Sequence, residues 1–472
     1  MLKNIFTLLS ISILSLSQVF SQEDNKDPKA WTPEDIVYTE SMRSPVFSPD
    51  GTMVVWSKSK AVKKKDRFVA DLYLTRLNIK EDDSFLTTQL TYGDDSDYSY
   101  IFSKDGKSLY FLSSRDKGKK LWKLSLYGGE AEEIHEFDNG ISSIQLKDEN
   151  TLFFTAKNGK TLYDLEAEEK EDDVQIIEDS LHWQPSHIYA FDLKEDQITR
   201  ITDNEKPIRS YQLSHDGHWL YYTITRSLSY GADAQKDPYS YLVNLKTGAK
   251  KQILQDFEFP IYDIQFTADD SGFYFGTGFS SDPEWNGAGI TELYYYDLAS
   301  AKATKVDLDW ELGVGGGYTV AGNDVIVSLA NKATMKLAYY TKKGTSWSRS
   351  EMDFDDKNEH VSLNAIADDA SKIIYSYSTA SKLPQYLIAD LKKAKVSNEE
   401  TFIKLNKKLE KKYMPKSEIM TWTGYNGDEV TGILYYPNNY EEGKKYPLML
   451  NIHGGPSSQD TDEWSGSWAY YP

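Results

Sequence analysis

Short segments in which apolar and polar residues alternate recur along most of the chain. Segments such as "KSLYFLSS" (107–114) and "HWLYYTIT" (218–225) are rich in residues that favour β-strands. They follow turn phrases that end in Asp-Gly, namely "FSPDG" (47–51), "FSKDG" (102–106) and "LSHDG" (213–217). Glycine readily adopts the positive φ that a tight turn between two strands requires. The pattern therefore predicts a series of antiparallel β-hairpins.

The hairpins belong to a longer repeat. The turn phrase and its looser versions begin at seven positions: 47, 102, 146, 213, 266, 319 and 366. Further strand-like segments follow each turn, such as "HIYAFDL" (187–193), and then a short polar one, such as "ITRITDN" (198–204). Four strands per repeat are typical of a β-propeller blade. We therefore predict a mainly β fold, with a seven-bladed β-propeller over residues 44–402; the alternative, stacked β-sandwich domains, lacks such a regular turn phrase.

The segments on either side of the repeats have a different pattern. "TPED" (32–35) offers a capping Thr, a Pro at the first helical position and an acid three residues after the Thr, which predicts a short helix within residues 22–43. "SEIMTWTGYNGDEVTGILYYP" (417–437) predicts a hairpin, and "YPLMLNI" (446–452) is almost wholly apolar. Such an apolar run suits a strand that is buried on both faces. We expect residues 403–472 to be the beginning of an α/β-hydrolase domain.

The apolar run leads directly into His453-Gly454-Gly455-Pro456. In α/β-hydrolases the loop after the third strand provides one backbone N–H of the oxyanion hole. Glycine allows the backbone to approach the developing negative charge closely. Gly454 and Gly455, with His453 before them, are therefore candidates for an oxyanion-hole loop. The alternative is a tight turn that has no catalytic role.

Taken together, these segments resemble a known family. A secretory leader, "WTPEDI" (31–36), the "FSPDG" repeats and "YPLMLNIHGGP" (446–456) resemble the prolyl oligopeptidase family of serine peptidases, and most closely its acylaminoacyl-peptidase-like branch. The resemblance implies a propeller that covers the active site of an α/β-hydrolase domain, and hydrolysis of oligopeptides by Ser-His-Asp acyl transfer without a cofactor. The prolyl oligopeptidases proper and the dipeptidyl peptidases carry Tyr where this chain has His453, so strict cleavage after proline is not expected.

The catalytic triad itself is missing from the sequence. No serine lies in a Gly-x-Ser-x-Gly motif; Ser457 follows Gly455 by two residues but precedes Gln459. Because the family's Ser, Asp and His all follow the oxyanion loop, we expect this chain to be a fragment that lacks the triad and is inactive. One alternative is a non-enzymatic exported propeller that binds a partner, which gives no reason for the His-Gly-Gly-Pro loop. Another is an esterase or lipase, which the preceding propeller disfavours.

Composition excludes several other classes. The net charge of −20 argues against nucleic acid as a partner, because phosphate binding needs clustered Lys and Arg. The absence of cysteine excludes disulfides, thiolate zinc sites and a cysteine nucleophile. His215 and His218 flank an Asp-Gly turn without a third ligand nearby, and no nucleotide-binding motif occurs. We expect neither a metal nor a cofactor.

The first 21 residues predict a secretory signal peptide. Lys3 precedes an apolar stretch over residues 5–16, and Ser21 provides a small residue at the cleavage site. The apolar stretch is short for a transmembrane helix, although a retained N-terminal anchor is the alternative. We therefore expect an exported protein, periplasmic or extracellular, with no transmembrane segment after cleavage.

Overall fold

The computed structural model describes residues 27–115, 119–137, 140–160, 162–170, 184–225, 239–282, 284, 289–455 and 458–465. The predicted signal peptide lies outside these residues. The predicted short helix is confirmed as α1 (Pro33–Val37), where the Thr32 side chain caps the backbone N–H of Asp35 and the Asp35 side chain accepts from the backbone N–H of Thr32. A second helix, α2, spans Leu162–Glu169. Across the described ranges no helix is both long enough and apolar enough to span a membrane.

Strands β1 to β28 contain about half of the described residues. The first twelve are Met42–Phe47, Met53–Val62, Arg67–Glu81, Ser84–Gln89, Asp97–Phe102, Ser108–Ser113, Lys120–Ser125, Glu132–Glu136, Ser142–Leu146, Thr151–Lys157, Ser186–Asp192 and Gln197–Arg200. Strands β13 to β20 are Ile208–Leu213, Trp219–Ile224, Tyr239–Asn244, Lys250–Ile253, Ile261–Phe266, Gly272–Phe279, Ile290–Asp297 and Lys302–Lys305. Strands β21 to β28 are Val314–Ala321, Asp324–Asn331, Thr334–Lys343, Ser346–Glu351, Val361–Ile366, Lys372–Thr379, Lys382–Lys392 and Lys395–Ile403.

These strands pair in consecutive groups of four, which we number units 1 to 7 from β1–β4 to β25–β28. Within each unit, strands that are neighbours in sequence pair side by side and antiparallel. Units 5 and 6 are also joined by a pair between Thr291 and Val314, so that their strands form one larger sheet. Each unit is thus built from one continuous stretch of chain.

The Asp-Gly turns join the first and second strands of a unit, as predicted. Gly51 has a φ of 65°, and the glycines at the same place in units 2 and 4 have φ values of 68° and 67°. The Ser48 hydroxyl donates to Asp50 Oδ1 at 2.6 Å and accepts from the backbone N–H of Met53 at 3.0 Å. The same serine-to-aspartate bond recurs in units 2 and 4. The Ser-x-Asp-Gly phrase therefore closes the turn through its own side chains.

The apolar core is divided into seven clusters, and each lies between two adjacent units. One of them joins the last unit to the first, where Phe47 and Trp56 pack against Ile374 and Phe402. The first strands of several successive units contact one another. The units are therefore arranged in a closed ring with their first strands innermost.

Polar side chains reinforce the closure between units 7 and 1. The backbone N–H of Glu40 donates to Asn406 Oδ1 at 2.8 Å, and Asn406 Nδ2 donates to the carbonyl oxygen of Glu40 at 2.8 Å. The Glu40 carboxylate in turn accepts from the backbone N–H of Asn406 at 3.1 Å and from Lys58 at 2.6 Å. Side chains, rather than a strand shared between the two units, fasten the ends of the ring.

After the ring, the chain forms the predicted hairpin from β29 (Ser417–Thr423) and β30 (Glu429–Tyr435). The prediction of a buried strand over residues 446–452 is wrong for this structure. These residues form no strand, and the side chains of Leu448, Met449 and Leu450 are 72–87% exposed. A strand is stable only when its backbone groups pair with a neighbour, and none of the described strands lies beside this run.

Candidate functional site

The predicted oxyanion loop follows the exposed apolar run. His453, Gly454 and Gly455 are exposed, and His453 Nδ1 lies 2.9 Å from the carbonyl oxygen of Gly454. A Cβ atom placed on Gly454 would meet no heavy atom within 4 Å. The loop is therefore open to an approaching group. Its role in an oxyanion hole stays a prediction.

Beyond the loop, residues 458–465 return to the ring, and we name them the anchor segment. The backbone N–H of Asp462 donates to the carbonyl oxygen of Ala333 at 2.7 Å. The side-chain amide of Gln459 donates to the carbonyl oxygen of Thr334 at 3.4 Å. Ala333 lies in the turn between β22 and β23 of unit 6, and Thr334 is the first residue of β23. The anchor segment is thus held on the face of the ring where the turns between second and third strands lie.

The Asp462 side chain is the main attachment of this segment. It is only 11% exposed, and its Oδ1 accepts from the backbone N–H of Ala380 at 3.0 Å and from the Ser417 hydroxyl at 3.4 Å. His360 Nδ1 lies 3.2 Å from the Asp462 carbonyl oxygen. Asp462 therefore links the anchor segment, unit 7 and the β29–β30 hairpin at one point.

A cavity of about 340 Å³ lies between the anchor segment and the inner strands of units 5, 6 and 7. Its lining includes Asp263, Gly316, Tyr318, Ser362, Thr461 and Glu463. This volume falls within the usual range of small-ligand pockets, about 300–1,000 Å³. The cavity is therefore large enough to hold part of a short peptide.

Asp263 occupies a special backbone position in this cavity. Every inner strand has a register shift opposite its second strand, and in unit 5 the shift falls between Tyr262 and Gln265. Asp263 has a φ of 54° there, in the left-handed region. Such a β-bulge re-aims the side chain away from the regular alternation of the strand.

Two neighbours hold Asp263 in place. The Tyr318 hydroxyl of unit 6 donates to the Asp263 carbonyl oxygen. The Gln265 side-chain amide donates to both carboxylate oxygens, at 3.1 and 3.2 Å, and to the Tyr318 carbonyl oxygen at 3.0 Å. Burial raises the pKa of the Asp263 carboxyl group, and the hydrogen bond from Gln265 only partly offsets this.

Sequence reasoning missed Asp263, Gln265 and Tyr318, although the repeats contain a signal for them. Tyr100 and Tyr211 stand at the position of Tyr318 in units 2 and 4. The Tyr100 hydroxyl likewise donates to the carbonyl oxygen of Ser44 in unit 1, and the Tyr211 hydroxyl to that of a bulge residue in unit 3. Aligning the repeats would have revealed this tyrosine in every second unit.

The two histidines that were considered as metal ligands have other partners. His215 Nδ1 lies 2.9 Å from Asp270, and His218 Nδ1 lies 2.5 Å from Asp216. In the part of the chain that the structure describes, no group of three or more His, Asp or Glu residues is placed to hold a metal ion.

The known proteins described in this paragraph, to which the chain is similar, are peptidases or a domain of one. No family model matches the chain. The chain is 22% identical to "Dipeptidyl-peptidase 5" of Porphyromonas gingivalis, over 99% of this chain and 69% of that protein. Among solved structures, an acylaminoacyl peptidase in complex with Z-Gly-Gly-Phe-chloromethyl ketone has a TM-score of 0.67 at 17% identity, over 93% of this chain and 64% of the other. The β-propeller domain of the Trilobed protease from Pyrococcus furiosus has a TM-score of 0.51 at 14% identity, over 78% of this chain and 97% of that domain.

The similarity to the first two of these proteins covers nearly all of this chain but only part of each of them. The chain spans about two thirds of the length of the dipeptidyl peptidase and of the acylaminoacyl peptidase. The structural matches show a shared fold, which is mainly β and includes a propeller-type domain. The relatives and structural neighbours are peptidases of the prolyl oligopeptidase and acylaminoacyl-peptidase type.

Proposed function

We propose that this chain is part of an exported serine peptidase of the prolyl oligopeptidase family, from its acylaminoacyl-peptidase-like branch, and that the enzyme hydrolyses oligopeptides. Residues 44–402 would form a seven-bladed β-propeller, and residues 403–472 would begin the α/β-hydrolase domain. The seven four-stranded units and the seven apolar clusters between them support this blade count. The peptidase relatives support the enzymatic class over a propeller that only binds a partner.

The observation that carries the proposal is the position of the cavity. Thr461 lines it and is six residues after Gly455. Because six residues of extended chain span at most about 20 Å, the cavity and the proposed oxyanion loop lie within the length of a short peptide. A peptide held against the inner strands could therefore extend to the loop.

The proposed chemistry is acyl transfer. A serine attacks the peptide carbonyl, a histidine accepts its proton and passes it to the leaving amine, and an aspartate orients the histidine. Backbone N–H groups at Gly454 and Gly455 would stabilise the oxyanion. Residues 1–472 contain no Gly-x-Ser-x-Gly serine, so we propose that these residues alone do not hydrolyse peptides. Loss of a triad nucleophile lowers kcat by about 10⁶-fold.

The test begins with the coding DNA downstream of the Pro472 codon. We expect an open frame that encodes Gly-x-Ser-x-Gly followed by Asp and His. Its product should react with a serine-directed fluorophosphonate and hydrolyse short peptide amides, and Ser→Ala at the motif serine should abolish both. Residues 1–472 alone should do neither. An immediate stop codon, or fluorophosphonate labelling of residues 1–472, would overturn the proposal.

Export is tested separately. Cleavage after residue 21 would give a mature protein that starts at Gln22. N-terminal sequencing of the protein recovered from the periplasm or the medium should therefore begin there. Recovery of the intact Met1 terminus in the cytoplasm would exclude export.

A further inference from the structure

The tip of the β29–β30 hairpin contains an Asn-Gly pair, Asn426 and Gly427. The Gly427 N–H donates to the carbonyl oxygen of Gly424 at 3.1 Å, and the Gly424 N–H donates to that of Asp428 at 2.7 Å. Gly427 has a φ of 89°, in the left-handed region that glycine adopts readily. The pair therefore closes the turn between the two strands, which is a common structural role of Asn-Gly in hairpins.

The two residues of this pair can also react with each other. Gly427 N attacks the side-chain carbon Cγ of Asn426, and the new C–N bond closes a five-membered succinimide ring. The bond from Cγ to the amide nitrogen breaks, and that nitrogen leaves as ammonia with the proton of the Gly427 N–H. Water then opens the ring at either carbonyl carbon, which gives aspartate or isoaspartate. Asparagine is a thermolabile residue, and a following glycine hinders the attack least because it has no Cβ.

The hairpin tip leaves room for this reaction. Tyr425, Asn426 and Gly427 are exposed, and a Cβ atom placed on Gly427 would meet no heavy atom within 4 Å. Across the described residues, no hydrogen bond holds the Asn426 side chain. The attack requires the bond between Gly427 and Gly424 to open first, and solvent-exposed backbone hydrogen bonds open at low free-energy cost. The Asn426 side chain is therefore free to approach Gly427 N.

A second Asn-Gly pair, Asn158 and Gly159, is held more firmly. The N–H of Asn158 donates to the carbonyl oxygen of Pro185 at 3.3 Å, and Asn158 Oδ1 accepts from the Tyr189 hydroxyl at 3.5 Å. The Asn158 carboxamide must give up that contact before its Cγ can turn toward the Gly159 nitrogen. The two pairs therefore consist of the same residues but differ in how the asparagine side chain is held.

We propose that Asn426 is a site of spontaneous modification, where ring closure onto Gly427 N converts the asparagine into aspartate and isoaspartate. The reaction needs only water and does not depend on the proposed peptidase function. Its products place a carboxylate near Glu429, which forms an ion pair with Lys332 of unit 6. Isoaspartate also adds one atom to the main chain inside the turn, which disturbs the bond between Gly427 and Gly424. The modification therefore alters the hairpin beside its contact with the ring.

The test ages the 472-residue chain in mildly alkaline buffer at physiological temperature, because removal of the backbone N–H proton starts the reaction. Peptide mapping by mass spectrometry then follows both Asn-Gly pairs. Exchange of the amide –NH2 for a carboxylate raises the mass of a peptide by about 1 Da, and an isoaspartyl methyltransferase labels the isoaspartate fraction. We expect Asn426 to react about two- to tenfold faster than Asn158, which is the effect of one hydrogen bond. In urea, where neither side chain is held, the two rates should become similar.

Variants assign the reaction to this pair. Asn426→Gln keeps a carboxamide but would need a larger ring, so the mass change in this peptide should be lost. Asn438→Gln is the matched control: Asn438 is exposed in the following loop but precedes Asn439 rather than glycine, so Asn426 should react as before. An unmodified Asn426 in the aged folded chain, an equal rate at Asn158 in that chain, or an unchanged mass gain in Asn426→Gln would overturn the inference.

Discussion

Replacing Asp462 should release the anchor segment from the ring while the ring stays folded. Its carboxylate accepts from the backbone N–H of Ala380 at 3.0 Å and from the Ser417 hydroxyl at 3.4 Å, and its backbone N–H donates to the carbonyl oxygen of Ala333. Asp462→Ala removes the first two bonds and leaves the buried N–H of Ala380 without this partner. Asp462→Asn keeps an acceptor but removes the charge.

The size of the effect follows from these contacts. A hydrogen bond to a charged group contributes about 1.5–3 kcal/mol, and the longer bond to Ser417 adds little. The free energy of local opening should therefore be about 1.5–3 kcal/mol lower in Asp462→Ala. This corresponds to an increase of about 10- to 150-fold in the equilibrium constant for opening. A neutral hydrogen bond contributes about 0.5–1.5 kcal/mol, so Asp462→Asn should have a smaller effect.

Native-state hydrogen exchange measures this opening at single amides. The N–H groups of Ala380 and Asp462 should lose protection together in Asp462→Ala, whereas amides in the inner strands should not change. Asp460→Ala is the control, because Asp460 is exposed two residues away in the same segment. Unchanged protection at Ala380 in Asp462→Ala, or an equal loss in Asp460→Ala, would refute the anchoring role.

Three further substitutions test side-chain contacts within the ring and beside it. Asn406→Ala removes the two hydrogen bonds between the Asn406 side chain and the backbone of Glu40 and should lower the free energy of unfolding in urea by about 1–3 kcal/mol. Tyr211→Phe removes the hydroxyl that bonds to two backbone carbonyl oxygens of the preceding unit, and it should lower the free energy of unfolding by about 1–3 kcal/mol. Burial alone would raise the pKa of Asp35, but hydrogen bonds, the largest from Lys412, lower it overall. The ionised Asp35 should therefore stabilise the fold at neutral pH, and this stabilisation should be lost as the pH falls through the lowered pKa. In urea unfolding across this pH range, the free energy of unfolding of Asp35→Asn should not show this decrease.

The repeats were predictable because their turns are encoded locally. Ser48, Asp50 and Gly51 close a turn with bonds among themselves and their neighbours, so the phrase can be identified without knowledge of the fold. Looser repeats use other residues at positive φ, such as Asp270 with 52° and Ala370 with 55°. Only the regular spacing of the repeats revealed these turns, because alanine does not favour a left-handed backbone.

The candidate site was less predictable because it depends on contacts between units. Asp263 accepts a hydrogen bond from Tyr318, which is 55 residues later in the chain, and the bulge sets the direction of its side chain. A bulge is a one-residue irregularity of pairing, and the alternation of apolar and polar residues does not reveal it. The anchoring role of Asp462 likewise depends on Ala380, which is 82 residues earlier in the chain.

The apolar run over residues 446–452 shows that an apolar pattern alone is not sufficient to predict a strand. Each strand of the ring pairs with its neighbour in sequence, so its partner is specified by the same short stretch of chain. The run from Pro447 to Ile452 has the composition of a strand buried on both faces, yet the side chain of Ile452 is 79% exposed. Composition reports the environment that a segment prefers, whereas strand formation also needs a second backbone beside it. The β29–β30 hairpin satisfies that condition within itself, and the apolar run does not.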